Sequence, residues 1–342
     1  MNKRNLLILL STLVLWLALA CDTGEPTATL IPTATGTPLP TATATPVPTA
    51  TPASYSPITV SPTMITVSPT ITVTDSRGRD VVFDRAPQRI VSISPAHTEI
   101  LYALGLGDRV VGTDSYSNFP PEAGEKPRVG DAFTLNLEVL AALEPDLLYT
   151  TFEGPVADAE RLGIKVLYLF PADDLQGVLD NIALLGRITD REAQANALVA
   201  DMESRIDSVV SKLAGIEEGP RLYYELDPAL FTVGPDTFIG SILEMLKVQN
   251  IAEGADSPYP MLSAEVIVQK NPEVIVLGDS KEYLATGITV DELEARPGWG
   301  SITAVQEDKI YPFDADLLSR PGPRIVDGIE QLAGLLYPEL FP

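Results

Sequence analysis

The chain has 342 residues, enough for about two domains, and 45% of them are hydrophobic. Its 47 acidic and 23 basic side chains leave a net charge of −24, which excludes nucleic acid, whose phosphates need clustered Lys and Arg, and a polybasic grip on anionic lipid. A single cysteine, Cys21, and a single histidine, His97, exclude an intrachain disulfide, a thiolate zinc site and a multi-histidine metal centre.

Lys3 and Arg4 stand before an apolar run, Leu6 to Ala20, interrupted by Ser11 and Thr12. At about 15 residues the run is shorter than the ~20 needed to span hydrocarbon, and residues 1–20 read as a signal peptide. Leu17-Ala18-Leu19-Ala20-Cys21 resembles a bacterial lipobox. That implies lipidation of Cys21 and an extracytoplasmic protein anchored to the cell membrane. Residues 21–70 are Thr, Pro and Ala in low-complexity repetition, and Ile58-Thr59-Val60-Ser61-Pro62-Thr63 recurs as Ile65-Thr66-Val67-Ser68-Pro69-Thr70. Such a stretch has too little apolar surface to offset its ordering entropy. It reads as a disordered, lipid-anchored linker with a reach of at most roughly 150 Å.

The composition changes at Ile71. Ile71 to Asp75 and Val81 to Phe83 predict short strands around the turn Ser76-Arg77-Gly78-Arg79. Arg89 to Ile93 predicts a buried strand, followed by a helix through Glu99 to Leu104 with Ser94 or Thr98 as its cap. Val110 to Gly112 is the next strand, Glu138 to Leu143 a helix, Leu147 to Tyr149 a strand, Val156 to Leu162 a helix, and Lys165 to Leu169 a strand. This alternation predicts an α/β fold with a parallel sheet. From Thr189 to about Gly215 the rhythm changes. Leu198, Met202, Ile206, Val209, Leu213 and Ile216 recur every three or four residues, the mark of one long amphipathic helix. Alternation resumes at Arg221 to Glu225.

A short pattern occurs twice. Leu137-Glu138-Val139-Leu140 precedes Pro145-Asp146-Leu147-Leu148, and Ala264-Glu265-Val266-Ile267 precedes Pro272-Glu273-Val274-Ile275. Each copy reads as helix, proline-broken turn and buried strand. The simplest architecture is two Rossmann-like lobes joined by one long rigid helix: residues 71–188, 189–217 and 218–342. A cleft between such lobes is a natural ligand site.

Three segments carry a family resemblance: Ile71 to Arg79, Pro87-Gln88-Arg89-Ile90-Val91-Ser92, and Thr98 to Gly105. With Asn136-Leu137-Glu138 and Pro145-Asp146-Leu147 they resemble the substrate-binding proteins of bacterial importers for vitamin B12, siderophores and haem. The resemblance covers Ile71 to Pro342. It implies a class III binding-protein fold and a monomeric, non-enzymatic carrier without a resident cofactor or metal, whose ligand itself carries cobalt or iron. It also implies permease and ATPase partners on other chains, since no phosphate-cradling G-x-x-x-x-G-K-[ST] occurs here.

Within that family the chain resembles the cobalamin binders, with ferric siderophore or haem as the alternative ligand. Ser115 to Pro121 is similar to their tyrosine-bearing cleft segment, Pro258-Tyr259-Pro260 to an aromatic between prolines, and Phe231 to Gly234 to a cleft strand end. Asp316, Arg320 and Pro323-Arg324-Ile325 resemble their C-terminal cleft loop. The first-lobe tryptophans of typical cobalamin binders are absent, and Phe133 and Phe152 stand about one position away. A flat, largely apolar macrocycle suits Tyr116, Phe133, Phe152, Phe231 and Tyr259 on its faces, with Asp316 and Arg320 at its polar rim. Each aromatic has ordinary core packing as its rival role, and Asp316 with Arg320 has a surface ion pair. His97 is expected at a helix start, exposed to solvent; axial ligation of iron or cobalt is its alternative, and Tyr116 is another haem-iron ligand.

In the resembling family, glutamates matching Glu138 and Glu265 lie one per lobe and meet arginines of the permease. Their other role is to start a helix, where a carboxylate gains roughly 0.3–1 kcal/mol from the dipole. A surface hydrolase is the rival class, but His97 has no G-x-S-x-G partner. A sensory module on the same fold is a third reading.

Overall fold

The computed structural model describes residues 70–342. The signal segment 1–20, the lipidation residue Cys21 and the linker as far as residue 69 lie outside the described residues.

Strands β1 (Ile71–Thr74) and β2 (Asp80–Phe83) form an antiparallel hairpin with Ile71 opposite Phe83. Gly78 turns it at φ +73°, a conformation with a steric cost for any residue bearing a Cβ. Buried Asp75 holds the turn, its carboxylate accepting from the backbone N–H groups of Arg77 and Arg79, each at 2.9 Å.

The first lobe follows as β3 (Ile90–Ile93), α1 (Pro95–Ala103), β4 (Val110–Thr113), α2 (Pro121–Gly124), α3 (Leu137–Ala142), β5 (Leu147–Thr150), α4 (Gly154–Arg161) and β6 (Val166–Tyr168). Helices α5 (Leu175–Ile188) and α6 (Glu192–Lys212) come next. The second lobe is β7 (Arg221–Glu225), α7 (Phe238–Met245), β8 (Gln249–Asn250), α8 (Ala264–Lys270), β9 (Val274–Leu277), α9 (Val290–Glu294), α10 (Thr303–Gln306), β10 (Ile310–Pro312), α11 (Asp316–Ser319) and α12 (Ile325–Leu336). All pairings within the two larger sheets are parallel. One sheet runs β4-β3-β5-β6 and the other β8-β7-β9-β10, so each lobe traces the same path: first strand inside, second to one side, third and fourth to the other. The duplicated sequence pattern sits at the same place in both, as the helix and strand leading into the third position. Strands β3, β5 and β9 are buried at every residue, as strands covered on both faces must be.

The long amphipathic segment resolves into a 21-residue helix, α6, preceded by a turn. Helix α5 ends at Ile188, and Asp190 at φ +58° reverses the chain. The two helices cross closely: a Cβ on Gly186 would lie 2.3 Å from that of Ala195. Helix α6 buries Ala195, Met202 and Val209, and its C-cap Leu213 is also buried. Full burial of side chains the size of Met202, Val209 and Leu213 contributes about 1.5–3 kcal/mol each. This face packs on α5 of the first lobe and α12 of the second. Arg205 of α6 donates to Asp327 at 2.6 Å and to Glu330 at 3.0 Å on α12. One hydrophobic cluster therefore runs from the hairpin through α6 to α12, while two smaller clusters fill the opposite face of each sheet.

Candidate functional site

In chain order the seven predicted ligand-facing residues lie in the connections that follow β4, β5, β7, β8 and β10, Phe133 beyond α2 and Arg320 at the end of α11. Tyr116 sits in the loop after β4, in a turn built on Asp114, whose carboxylate accepts from the N–H groups of Tyr116 at 2.6 Å and Ser117 at 3.0 Å. Arg128 donates to Thr113 Oγ1 at 2.9 Å and the Ser117 carbonyl at 2.8 Å, bracing the same loop. Phe133 caps a second turn, where Asp131 accepts from the N–H groups of Phe133 and Thr134, each at 2.8 Å. Only glycine fits at position 130: φ is +103° and a Cβ would lie 2.0 Å from the Thr134 carbonyl oxygen. Phe152 follows β5, and its ring lies 6.3 Å from that of Phe133.

In the second lobe, Phe231 follows β7 and Tyr259 follows β8. Their segments run antiparallel, joined by Thr232 N–H to Pro260 O at 3.0 Å and Gly234 N–H to Pro258 O at 2.7 Å. All five aromatic candidates are exposed, from 37% for Phe231 to 90% for Phe133, so none of them is core packing. Met261, Tyr283 and Leu284 are exposed on second-lobe loops too, and the sequence reading missed them because an apolar residue in a loop carries no periodicity.

Asp316 and Arg320 do form an ion pair, at 2.6 Å, between a 37% exposed carboxylate and an Arg320 side chain that is 11% exposed. Arg320 reaches across to the first lobe, donating to Asn118 Oδ1 at 2.7 Å, the Tyr116 carbonyl at 3.3 Å and Glu99 at 3.2 Å. Arg324 joins it, donating to both oxygens of Glu99 at 2.9 and 2.7 Å and lying 4.0 Å from the ring centre of Phe119. The strand-end loops of the two lobes thus meet at one seam. Glu99, Asn118 and Phe119 were not singled out as site residues, although a glutamate directly before the apolar pair Ile100-Leu101 was a signal for a buried pair.

His97 corrects an expectation. It is not exposed: it is 1% accessible, stacked on Tyr149 with ring centres 4.1 Å apart, and its Nδ1 lies 3.0 Å from Ser94 Oγ. Ser94 is the N-cap residue of α1, yet its hydroxyl serves the imidazole and makes no capping bond. Burial pushes His97 down to about 3, so the ring is neutral. Its Nε2 has no partner among the described residues.

The second lobe holds a buried ion pair of its own. Glu225, at the end of β7, accepts two bonds of 2.6 Å from Arg296, which also lies 4.6 Å from the ring centre of Trp299. Asp279, buried just past β9, has no partner for either oxygen among the described residues. Burial first and the Glu225 charge second push it up to about 7.

Glu138 and Glu265 are exposed and occupy the same position, in the first turn of the helix that precedes the third strand of each lobe. Asn136 and Ser263 cap those helices, accepting from Val139 N–H at 3.1 Å and Val266 N–H at 3.3 Å. Backbone N–H bonding at the helix start and the Ser263 hydroxyl hold the Glu265 carboxyl below its usual range. A cavity of about 500 Å³ lies elsewhere, at the β8 edge among Arg221, Glu244, Gln249 and Lys270. It includes none of the aromatic candidates, and Arg221 is already held by Glu273 at 3.5 Å. Among the described residues no helix is long and apolar enough to cross a membrane.

Two lobes of one parallel topology joined by a bridging helix define a class of two-lobed α/β binding proteins, and the comparisons agree. Residues 90–317 match the model of the periplasmic binding protein family. The chain is 34% identical over 281 residues to the "uncharacterized ABC transporter substrate-binding lipoprotein YvrC" of Bacillus subtilis, covering 79% of this chain and 87% of that protein. It is 30% identical over 278 residues to a cobalamin-binding protein of Halobacterium salinarum, covering 78% and 74%. The crystal structure of the periplasmic vitamin B12-binding protein BtuF of Vibrio cholerae superposes with a TM-score of 0.62 at 30% identity, covering 73% of this chain and 96% of that one. The chain belongs to the periplasmic binding protein family.

Proposed function

We propose that this protein is the substrate-binding component of an ABC importer and that it captures a corrinoid in the cleft between its lobes for delivery to a membrane permease. The observation that carries this reading is the make-up of the strand-end surfaces: exposed aromatic rings on both lobes beside arginines that carboxylates already neutralise. Arg320 faces Glu99 and Asp316, and Arg324 faces Glu99. A corrinoid offers a broad apolar face with neutral amides at its rim, which such a surface accommodates. The relatives named for cobalamin and vitamin B12 point the same way. Tyr116, Phe133, Phe152, Phe231 and Tyr259 supply the faces. Asp316 accepts from rim amides, with Arg320 behind it.

Ferric siderophore or haem is the second reading, favoured by the exposed phenols of Tyr116 and Tyr259, since phenolate is a ferric ligand. In either case Glu138 and Glu265 dock the permease, the ATPase is a separate chain, and lipidated Cys21 anchors a monomer outside the cytoplasmic membrane. The test is retention of colour: the purified chain is incubated separately with cyanocobalamin, haem and a ferric siderophore, desalted and scanned. One corrinoid retained per chain is expected. Retained haem or siderophore without corrinoid would establish the second reading, and retention of none would refute both.

A further inference from the structure

Beneath the strand ends, one first-lobe carboxylate holds two second-lobe arginines. Glu99 is 3% exposed and lies on α1 among the buried side chains of Thr98, Ile100 and Leu101. A charge so placed is costly unless it is paired and hydrogen-bonded. Its oxygens accept from Arg320 and Arg324, separated from it by 221 and 225 residues. Asp316, at 2.6 Å from Arg320, and Asp314, at 4.0 Å from Arg324, supply further counter-charge. Between the two arginines, Gly322 comes so close to α1 that a Cβ there would lie 3.0 Å from the Ala96 carbonyl oxygen.

The remaining Arg320 bonds go to Asn118 Oδ1 and the Tyr116 carbonyl, and the Arg324 guanidinium covers Phe119. Three contacts therefore fall on one loop, 116–119, whose ring at Tyr116 is 66% exposed. The lobes are already joined elsewhere by the shared core along α6 and by Arg205. What this cluster adds is a tie between the second lobe and that loop, whose own turn rests on Asp114 and Arg128.

We infer that Glu99 is a positioning residue: by holding Arg320 and Arg324 it fixes the Tyr116 loop of the first lobe against α11 of the second, so that the two ligand-facing surfaces stand in register before a ligand arrives. The inference rests on the proposed ligand site at Tyr116. Ordering a loop on binding costs affinity, and a loop ordered in advance avoids that cost.

The test is Glu99→Gln in the full chain, read by amide hydrogen exchange and by release of cyanocobalamin. Exchange at Tyr116 and Ser117 should accelerate about tenfold or more while the amides of β3, β5, β7 and β9 hold their protection. Cyanocobalamin should leave about tenfold faster. Asn118→Ala, which removes one bond without stranding a buried charge, should shift both readouts in the same direction and by less; it decides the matter if Glu99→Gln does not fold. Unchanged exchange in the loop would overturn the inference. So would equal acceleration in the strands, which marks a merely structural role, or slower release, which marks Arg320 as a ligand contact freed by the substitution. If the unaltered chain does not retain cyanocobalamin, the corrinoid reading fails, and exchange alone decides the role of Glu99.

Discussion

Glu225 and Arg296 meet in two parallel hydrogen bonds of 2.6 Å at the end of β7, and the carboxylate side chain is fully buried. This bidentate geometry is the strong form of a charged pair, and it is closed on itself: nearby Asp279 receives the repulsion of Glu225 without a bond from Arg296.

Asp279 should therefore make stability fall as pH rises. Its folded value of about 7 exceeds the ordinary 3.8. Between those values the folded chain keeps a proton that the unfolded chain has released. The stabilisation is fully present below pH ~4 and lost as pH rises through ~7. Asp279→Asn should raise stability at pH 8 by about 1–3 kcal/mol and change it little at pH 4. Urea midpoints at the two pH values check this; an equal change at both would contradict it.

His97 has the opposite sign. Its folded value of about 3 lies below the ordinary 6.5, so the unfolded chain takes up the proton first. The stabilisation is present above pH ~6.5 and lost as pH falls toward ~3. His97→Phe keeps a ring against Tyr149 and removes the titration. It should flatten the acid limb of the stability curve by about 1 kcal/mol per pH unit below 6.5. An unchanged slope in denaturation curves from pH 6.5 to 4 would show that His97 does not titrate on unfolding.

Tyr116→Ala and Tyr259→Ala should each weaken corrinoid binding by about 1–3 kcal/mol, the cost of truncating an aromatic anchor. Both rings are exposed in the free protein, at 66% and 53%, so circular dichroism should not change. Calorimetric titration with cyanocobalamin is the measurement, and wild-type affinity in both variants would remove these residues from the site.

Glu138→Ala combined with Glu265→Ala should abolish uptake and leave the ligand Kd unaltered. The two carboxylates are exposed on separate lobes at equivalent positions. Charge at a docking contact acts on association with the transporter, not on a cleft elsewhere. Transport by cells carrying the double variant, set beside titration of the purified protein, separates the two effects.

Cys21→Ser should move the protein from the membrane fraction to the soluble one while the body stays folded. Immunoblots of the two fractions test the anchor, and equal membrane retention would assign anchoring to the apolar run Leu6 to Ala20.

The alternation of strand and helix, the long amphipathic segment and the repeat at Glu138 and Glu265 were legible in the chain because each is a local pattern: period, breaker and spacing act over fewer than ten residues at a time. The equivalence of the two glutamates follows from the repeat, and the shared strand order gives it a place in the fold. The aromatic candidates came from the resemblance to cobalamin binders, as at Tyr116 and Tyr259, and the fold leaves their rings exposed.

Exposure and partnership were not legible. Whether His97 faces water depends on Tyr149, which arrives from β5 to cover it. Arg320 reads as a rim cation until the fold sets it against Glu99 and Asn118, and Asp279 is unremarkable in sequence until burial strips its solvent and Arg296 is taken by Glu225. The signal-like start, the Thr- and Pro-rich stretch, the two-lobed α/β plan and its bridging helix can be read along the chain, because backbone periodicity and composition act locally. Which charges meet and which stand alone emerges with folding, because desolvation and hydrogen bonding depend on side chains brought together from positions as far apart as Glu99 and Arg324.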